Sequence, residues 1–310
     1  TPSDVQTAVK WQAPQATYPG TGETIVNSRT VSFRNVAFNV AGGTVQGYGT
    51  YANQRWQAVT QASNLQVEPF VNQNQLKDIT LKGATFNGRV IVAGTSAPFN
   101  IAQLDSKDGR VQIGGGSVAV SNIQLQEQTF SAQLVAEGVR LARILKESPP
   151  VLQNPVAGKF QIAGDRENFS VKTMQGVGDA RLNVGGGTVT VSNIQLANGV
   201  YQAQLKPNNV PVQEVAEVPK QFRGNLTGQF DVAGTVDSFQ LPDIQATGQG
   251  IINVAGGTIN ATNVQMANGL YWAQLQTNHV QLQQLTQVIP QYYGRLTGQF
   301  KVAGSVVPSQ

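Results

Sequence analysis

TGQFDVAG, residues 227 to 234, returns seventy residues later as TGQFKVAG, residues 297 to 304, with only Asp231 exchanged for Lys301. One step back, residues 158 to 164 read GKFQIAG, and before that residues 88 to 94 read GRVIVAG. The closing glycines Gly94, Gly164, Gly234 and Gly304 stand 70 residues apart each time. Spacing this regular marks a repeated structural unit, not a single catalytic loop.

A second landmark keeps the same beat. A glycine pair or triplet opens a β-prone run at 41 (AGGTVQ), 114 (GGGSVAVSNIQL), 185 (GGGTVTVSNIQL) and 255 (AGGTINATNVQM). A turn follows, ANQ at 52, QEQ at 126 and ANG at 197 and 267, and then an aromatic leads a strand: Trp56, Phe130, Tyr201 and Tyr271. Four units with one order of parts result, with boundaries at 25–94, 95–164, 165–234 and 235–304, and a tail at 305–310.

Within a unit the period is two. Leu226, Gly228, Phe230 and Val232 alternate with Thr227, Gln229 and Asp231, and Tyr201, Ala203 and Leu205 alternate with Gln202 and Gln204. One face is apolar and the other carries amides or charges, the pattern of an antiparallel sheet wet on one side. Asp231 and Lys301 fall on the wet parity, where identity matters little. Asn198-Gly199 and Asn268-Gly269 predict tight hairpins. The glycine triplets read as places where a strand enters or bends, and Gly228 and Gly234 as backbone hinges. Between Val191 and Ile194 the parity flips, which requires a bulge or turn.

One segment per unit changes period. Leu141, Ile144 and Leu145, then Val212, Val215 and Val218, then Leu282, Leu285 and Val288 recur at three to four residues, and Pro149, Pro219 and Pro290 punctuate their ends. A short helical crossing is expected there. About five strands are expected per unit, as near 226–232, 239–246, 251–254, 258–266 and 270–276. Residues 1–24, with Val5, Ala8 and Trp11 in loose helical spacing, read as a leftover crossing helix and linker.

Composition narrows the function classes. Charged residues are only 12%, and 21 Lys and Arg against 17 Asp and Glu leave a formal +4 with no basic cluster, so nucleic acid is not an expected partner. There is no cysteine, hence no disulfide, thiolate nucleophile or thiolate-bound metal. His279 is the single histidine and aligns with Asn209 of the preceding unit, so it reads as an ordinary strand or loop residue and no nucleophile-histidine pair can be built around it. The carboxylate pairs Asp105 and Asp108, Asp165 and Glu167, and Glu214 and Glu217 lie in polar, turn-like settings. GGGT lacks the lysine of a phosphate-binding loop. No catalytic residues, metal or cofactor are expected, and the chain does not read as an enzyme. No apolar run is long enough to span a membrane as a helix. The start at TPSDVQTAVK, without Met or a signal peptide's pattern, reads as a mature protein or an excised piece.

The repeated apolar face remains. About 20 strands at roughly 4.8 Å each give a sheet about 95 Å long, which must twist or curl. One short helical segment per unit is too little to cover it, and the hairpin turns argue against a filled parallel β-helix. The expected fold is mainly β: an elongated, curled antiparallel sheet of four repeats with a lined apolar groove. The candidate lining residues are Val90, Val92, Phe130, Leu134, Phe160, Ile162, Val189, Val191, Tyr201, Leu205, Leu226, Phe230, Val232, Tyr271, Leu275, Leu296, Phe300 and Val302. The alternative is a structural or adhesive β-repeat, such as an adhesin stalk, whose apolar face is a filled core without cargo.

The phrase GxLxGxFxVAG followed by GGTVxVxNxQLxxGxYxAQL, carried here by Leu226, Gly228, Phe230, Val232, Gly234, Gly187, Tyr201 and their equivalents, resembles the repeat of the TamB-type translocation and assembly proteins. The likeness is to the cyanobacterial and chloroplast-envelope members and runs from about residue 25 onward. It implies a β-taco segment of a membrane-bridging protein in the periplasm or envelope intermembrane space, anchored in the inner membrane by parts outside this chain. The implied roles are phospholipid transport and outer-membrane protein translocation and assembly. The implied partners are phospholipid acyl chains and, through other parts of the full protein, a BamA-like outer-membrane barrel.

Overall fold

The computed structural model describes residues 6–71, 79–106, 108–126, 128–145, 153–165, 170–215, 220, 223–238, 240–285 and 293–306. The chain is mainly β, with twenty strands among the described residues. It divides into two compact units, Thr1–Val139 with Gln161–Ser170 and Arg140–Phe160 with Val171–Gln310.

The first unit holds β1 (Thr7–Ala13), β2 (Gly20–Val26), β3 (Val31–Val40), β4 (Gly43–Ala52), β5 (Arg55–Gln66), β6 (Thr85–Ser96), β7 (Phe99–Ser106), β8 (Gly109–Ile113), β9 (Gly116–Gln126) and β10 (Thr129–Arg140). Each strand from β1 to β6 pairs antiparallel with the next. β7 and β8 lie end to end along β6, and β8, β9 and β10 continue the meander. β11 (Pro155–Asp165) runs from the second unit's range into the first's.

In the second unit follow β12 (Gln175–Val184), β13 (Gly187–Ala197), β14 (Val200–Asn208), β15 (Val210–Pro211), β16 (Gly224–Thr235), β17 (Gln245–Val254), β18 (Gly257–Ala267), β19 (Leu270–Gln281) and β20 (Arg295–Ser305). β14 and β15 share β16 as their neighbour, and otherwise each strand pairs antiparallel with the next.

Hairpin chemistry sets this order. Asn198 and Gly199 (φ 52° and 73°) and Asn268 and Gly269 (51° and 73°) form the two-residue turns their sequence predicts. The glycine triplets do the same work at the other end of the strands: Gly185 and Gly186 (55° and 88°) join Val184 to Gly187, and Ala255 and Gly256 (49° and 67°) join Val254 to Gly257. They are turns, not strand entries or bends, because two consecutive positive φ angles are what a tight hairpin requires.

The parity flip after Val191 is a bulge at Asn193, with φ 54° and a register shift between Ser192 and Gln195. Asn122 (52°) and Asn263 (51°) repeat it. A second bulge series comprises Asn64 (55°), Gly138 (69°), Asn209 (55°) and His279 (54°). Asparagine tolerates the left-handed region better than most residues, so its recurrence there is physical. Neighbouring side chains satisfy the amides these bulges free. Asn64 N donates to Asn87 Oδ1 (2.8 Å), Asn193 N to Asp179 Oδ1 (3.2 Å), Asn209 N to Thr227 Oγ1 (3.0 Å) and His279 N to Thr297 Oγ1 (3.2 Å).

Two further expectations change. Residues 7–13 are a strand, not a leftover crossing helix: Val9, Trp11 and Ala13 also share one parity, and pairing with β2 decides for it, with Trp11 opposite Gly22 and Trp11 Nε1 donating to Thr24 Oγ1 at 3.0 Å. In place of two strands at 239–246 and 251–254, the described residues carry a 3-10 turn at Leu241–Asp243 and one strand, β17. The short helical crossings stand where expected: among the described residues they include turns at Leu141–Arg143, Val212–Glu214 and Leu282–Leu285, with another at Glu68–Phe70 in the first repeat. Val218 and Val288, with Pro149, Pro219 and Pro290, lie outside the described residues.

Candidate functional site

Cross-strand register shows which expected lining residues share a face. In the second unit one row reads Val191, Leu205, Phe230, Gly248 and Val264, each directly opposite the next. The adjoining row reads Ala203, Val232, Ala246, Met266, Tyr271 and Gly304. Leu226 lies between Val210 and Ile252, Val189 between Leu182 and Pro207, Leu275 between Ala261 and Phe300, Leu296 opposite Val280 and Val302 opposite Ala273. Tyr201 faces Leu196 and Gly234. Phe160 joins this face through its ring, which lies against Gly158 and Gly178. In the first unit Val90 faces Thr60 and Ser106, Val92 faces Ala58 and Leu104, Phe130 faces Leu125 and Leu134 faces Val120. Ile162, two residues beyond Phe160 on β11, is half-buried.

Glycines are what allow large rings on this face. A Cβ at Gly248 would fall 2.7 Å from the Phe230 ring, and one at Gly250 3.1 Å from it. A Cβ at Gly234 would meet the Tyr201 hydroxyl at 2.5 Å, and one at Gly304 the Tyr271 hydroxyl at 2.5 Å. In the first unit Gly22 and Gly94 stand in the same relation to Trp11 and Trp56. Gly228 and Gly234 are therefore seats for rings rather than hinges, and neither has a positive φ. Burial of the Tyr201 phenol pushes its pKa up.

Among the described residues of the second unit, the face is closed at one end. Val156, Leu182, Val184 and Val210 form a buried cluster, with Leu141, Ala180, Val189 and Val191 packed against it. Val280 is buried likewise. Val189 and Val191 thus belong to the edge of this plug. Away from it the large side chains remain partly accessible: Tyr271 is 40% and Phe300 41% exposed. Sequence reasoning missed Val210 and Val280 because the bulges at Asn209 and His279 invert parity just before them; an Asn that repeats ahead of an apolar residue is the signal.

The opposite face is amide-rich. Gln195, Gln202, Gln204, Gln245 and Gln265 surround a depression of about 500 Å³ next to Asp231, whose Oδ1 accepts from Gln204 Nε2 at 3.1 Å. Asp231 and Lys301 are both exposed. His279 is exposed and held by its bulge, with its ring beside Asn278. Asp108 accepts from the Arg89 amide at 3.0 Å, a structural contact, while Glu167 and Glu217 lie outside the described residues. No group of His, Asp or Glu among the described residues is arranged to hold a metal ion. No helix among them is long and apolar enough to cross a membrane. No protein family, curated protein or solved structure matches the chain.

Proposed function

We propose that this chain is a non-enzymatic, lipid-handling segment of a membrane-bridging envelope protein of the TamB type. Its apolar sheet face shields phospholipid acyl chains, or an unfolded apolar strand, from water on the way to the outer membrane. The full protein is anchored in the inner membrane and meets a BamA-like barrel through parts outside this chain.

One observation carries the reading. Rows of directly opposed aliphatic and aromatic side chains run across successive strands, yet Tyr271 and Phe300 keep about two-fifths of their surface accessible. Contiguous apolar surface left open in a folded chain marks a binding face. A stalk with a filled core has no need of such exposure, which favours the groove reading over the adhesive repeat. The amide face gives the chain a wet outer side and explains its low charge.

A fluorescent acyl-chain probe tests this. The chain is expected to bind it saturably, and the double substitution Phe230→Gln with Phe300→Gln is expected to weaken binding about tenfold or more, since each ring buries apolar area against the ligand. Substituting Gln229 and Gln299 on the opposite parity is expected to change little. Equal effects from both pairs, or no binding, overturn the proposal.

A further inference from the structure

The wet face is not the same in every repeat. In the third and fourth repeats one row across it reads Ser192, Gln204 and Asp231, then Thr262, Gln274 and Lys301, each residue directly opposite the next. In the second repeat Ser121 faces Gln133. The same register position in the first repeat holds Tyr48, Val59 and Ile91. Hydroxyl, amide and charge give way there to an aromatic ring and two aliphatic side chains, and Tyr48 is 55% exposed.

The flanks of this row stay polar. Along the strands, Gln46, Gln61 and Arg89 oppose one another on one side of it, and Ser32, Thr50 and Gln57 on the other. The bulge also moves. In the third and fourth repeats it lies at Asn193 and Asn263, next to Ser192 and Thr262; in the first it lies on β3, where Arg34 and Asn35 (φ 49°) together oppose Tyr48. Ser32, Arg34, Gln46, Thr50 and Gln61 line a depression of about 830 Å³ around Tyr48, with no Asp or Glu in its wall. Glu23 faces Arg34 from β2, and Asp105 ends the row beside Ile91, yet neither Arg34 nor Arg89 forms an ion pair among the described residues.

These features select among ligands. β4 and β5 are paired on both sides, so a partner cannot add a strand to them and meets side chains only. A strip one residue wide between hydrogen-bonding flanks is too polar for an acyl chain, and two arginines are too few for a phosphate backbone. A pyranose ring has the matching form: its C–H faces lie on an aromatic or aliphatic surface, and its edge hydroxyls need donors and acceptors. Three strands at roughly 4.8 Å spacing make the strip about 10 Å long, room for about two such rings. Arg34 and Arg89 favour a sugar that carries a carboxylate.

We infer that the wet face of the first unit binds an acidic oligosaccharide. Tyr48, Val59 and Ile91 are the platform for its rings, the flanking glutamines meet its hydroxyls and Arg34 meets its carboxylate. The site lies on the face opposite the apolar rows, so the inference does not depend on lipid binding.

Calorimetric titration of the full chain tests it with a galacturonate tetramer, a hyaluronan tetrasaccharide, chitotetraose and cellotetraose, and with a tetraglutamate peptide as the charge control. At least one acidic sugar is expected to bind with Kd of about 1 mM or below, and both neutral sugars about tenfold more weakly. Tyr48→Ala is expected to weaken the acidic sugar about tenfold, and Arg34→Gln to reduce it to the level of the neutral ones. The triple substitution Tyr48→Ser, Val59→Gln and Ile91→Asp, which writes the third repeat's row into the first, is expected to abolish binding with an unchanged circular dichroism spectrum. Should that variant unfold, Tyr48→Ala decides alone. Phe230→Gln, on the apolar face, is expected to leave sugar binding intact. The inference falls if neither acidic sugar binds at about 1 mM, if binding survives the loss of Tyr48, or if neutral and acidic sugars bind equally. It falls too if tetraglutamate binds as tightly as the sugars, since the row is then a site for acidic peptide.

Discussion

In the second unit the apolar face is closed at its glycine-turn end and open along its middle, although both regions are built from the same alternating strands. At the closed end Val184 and Val210 have no accessible surface, whereas Tyr271 and Phe300 are about two-fifths exposed. The Asn209 bulge turns Val210 inward, and the single turn Val212–Glu214 follows it. Along the middle, rings lie against glycines and stay partly accessible. Stability and binding capacity thus fall to different residues on one face.

The largest effects should come from the closed end. Val210→Asp buries an unpaired charge and is expected to abolish cooperative folding, while Val210→Ala is expected to cost about 2 kcal/mol in urea unfolding. Phe230→Gln, in the open region, is expected to cost about 1 kcal/mol. Equal costs for Val210→Ala and Phe230→Gln would erase the distinction between the two regions.

Next comes the seating of rings on glycine. Gly234→Val drives a branched side chain into the space of the Tyr201 phenol and is expected to cost about 1–3 kcal/mol. Combining it with Tyr201→Ala should recover part of that loss, and strictly additive costs in the double-mutant cycle would show that ring and glycine do not interact.

The smallest effect separates chemistry from architecture at the lone histidine. His279→Asn, which installs the residue of the preceding repeat in a left-handed bulge, is expected to change stability by less than about 0.5 kcal/mol, and His279→Val to cost about 1–2 kcal/mol. Loss of acyl-chain binding in the folded Asn variant would give His279 a functional role that its bulge does not require.

Much of this was legible in the sequence because period two is a direct readout of sheet faces. Phe230 and Val232, and likewise Leu275 and Tyr271, occupy the expected face, and the break after Val191 announced the Asn193 bulge. The glycines were harder. GGG reads equally well as a bend or a hairpin, and Gly228 reads as a hinge until the ring beside it is placed. Trp11 matched a loose helical spacing, but only the pairing partner Gly22 decides between helix and strand. The closed end was illegible because a bulge inverts the count: Val210 lies an odd number of residues from Leu205 yet joins the same face.

The most direct measurement places a photo-crosslinking amino acid at position 230 and, separately, at position 229, in the full chain with phospholipid vesicles. The two side chains are adjacent in sequence and point to opposite faces of β16. The account predicts phospholipid adducts at 230 and essentially none at 229; equal labelling at both, or labelling at neither, would contradict it.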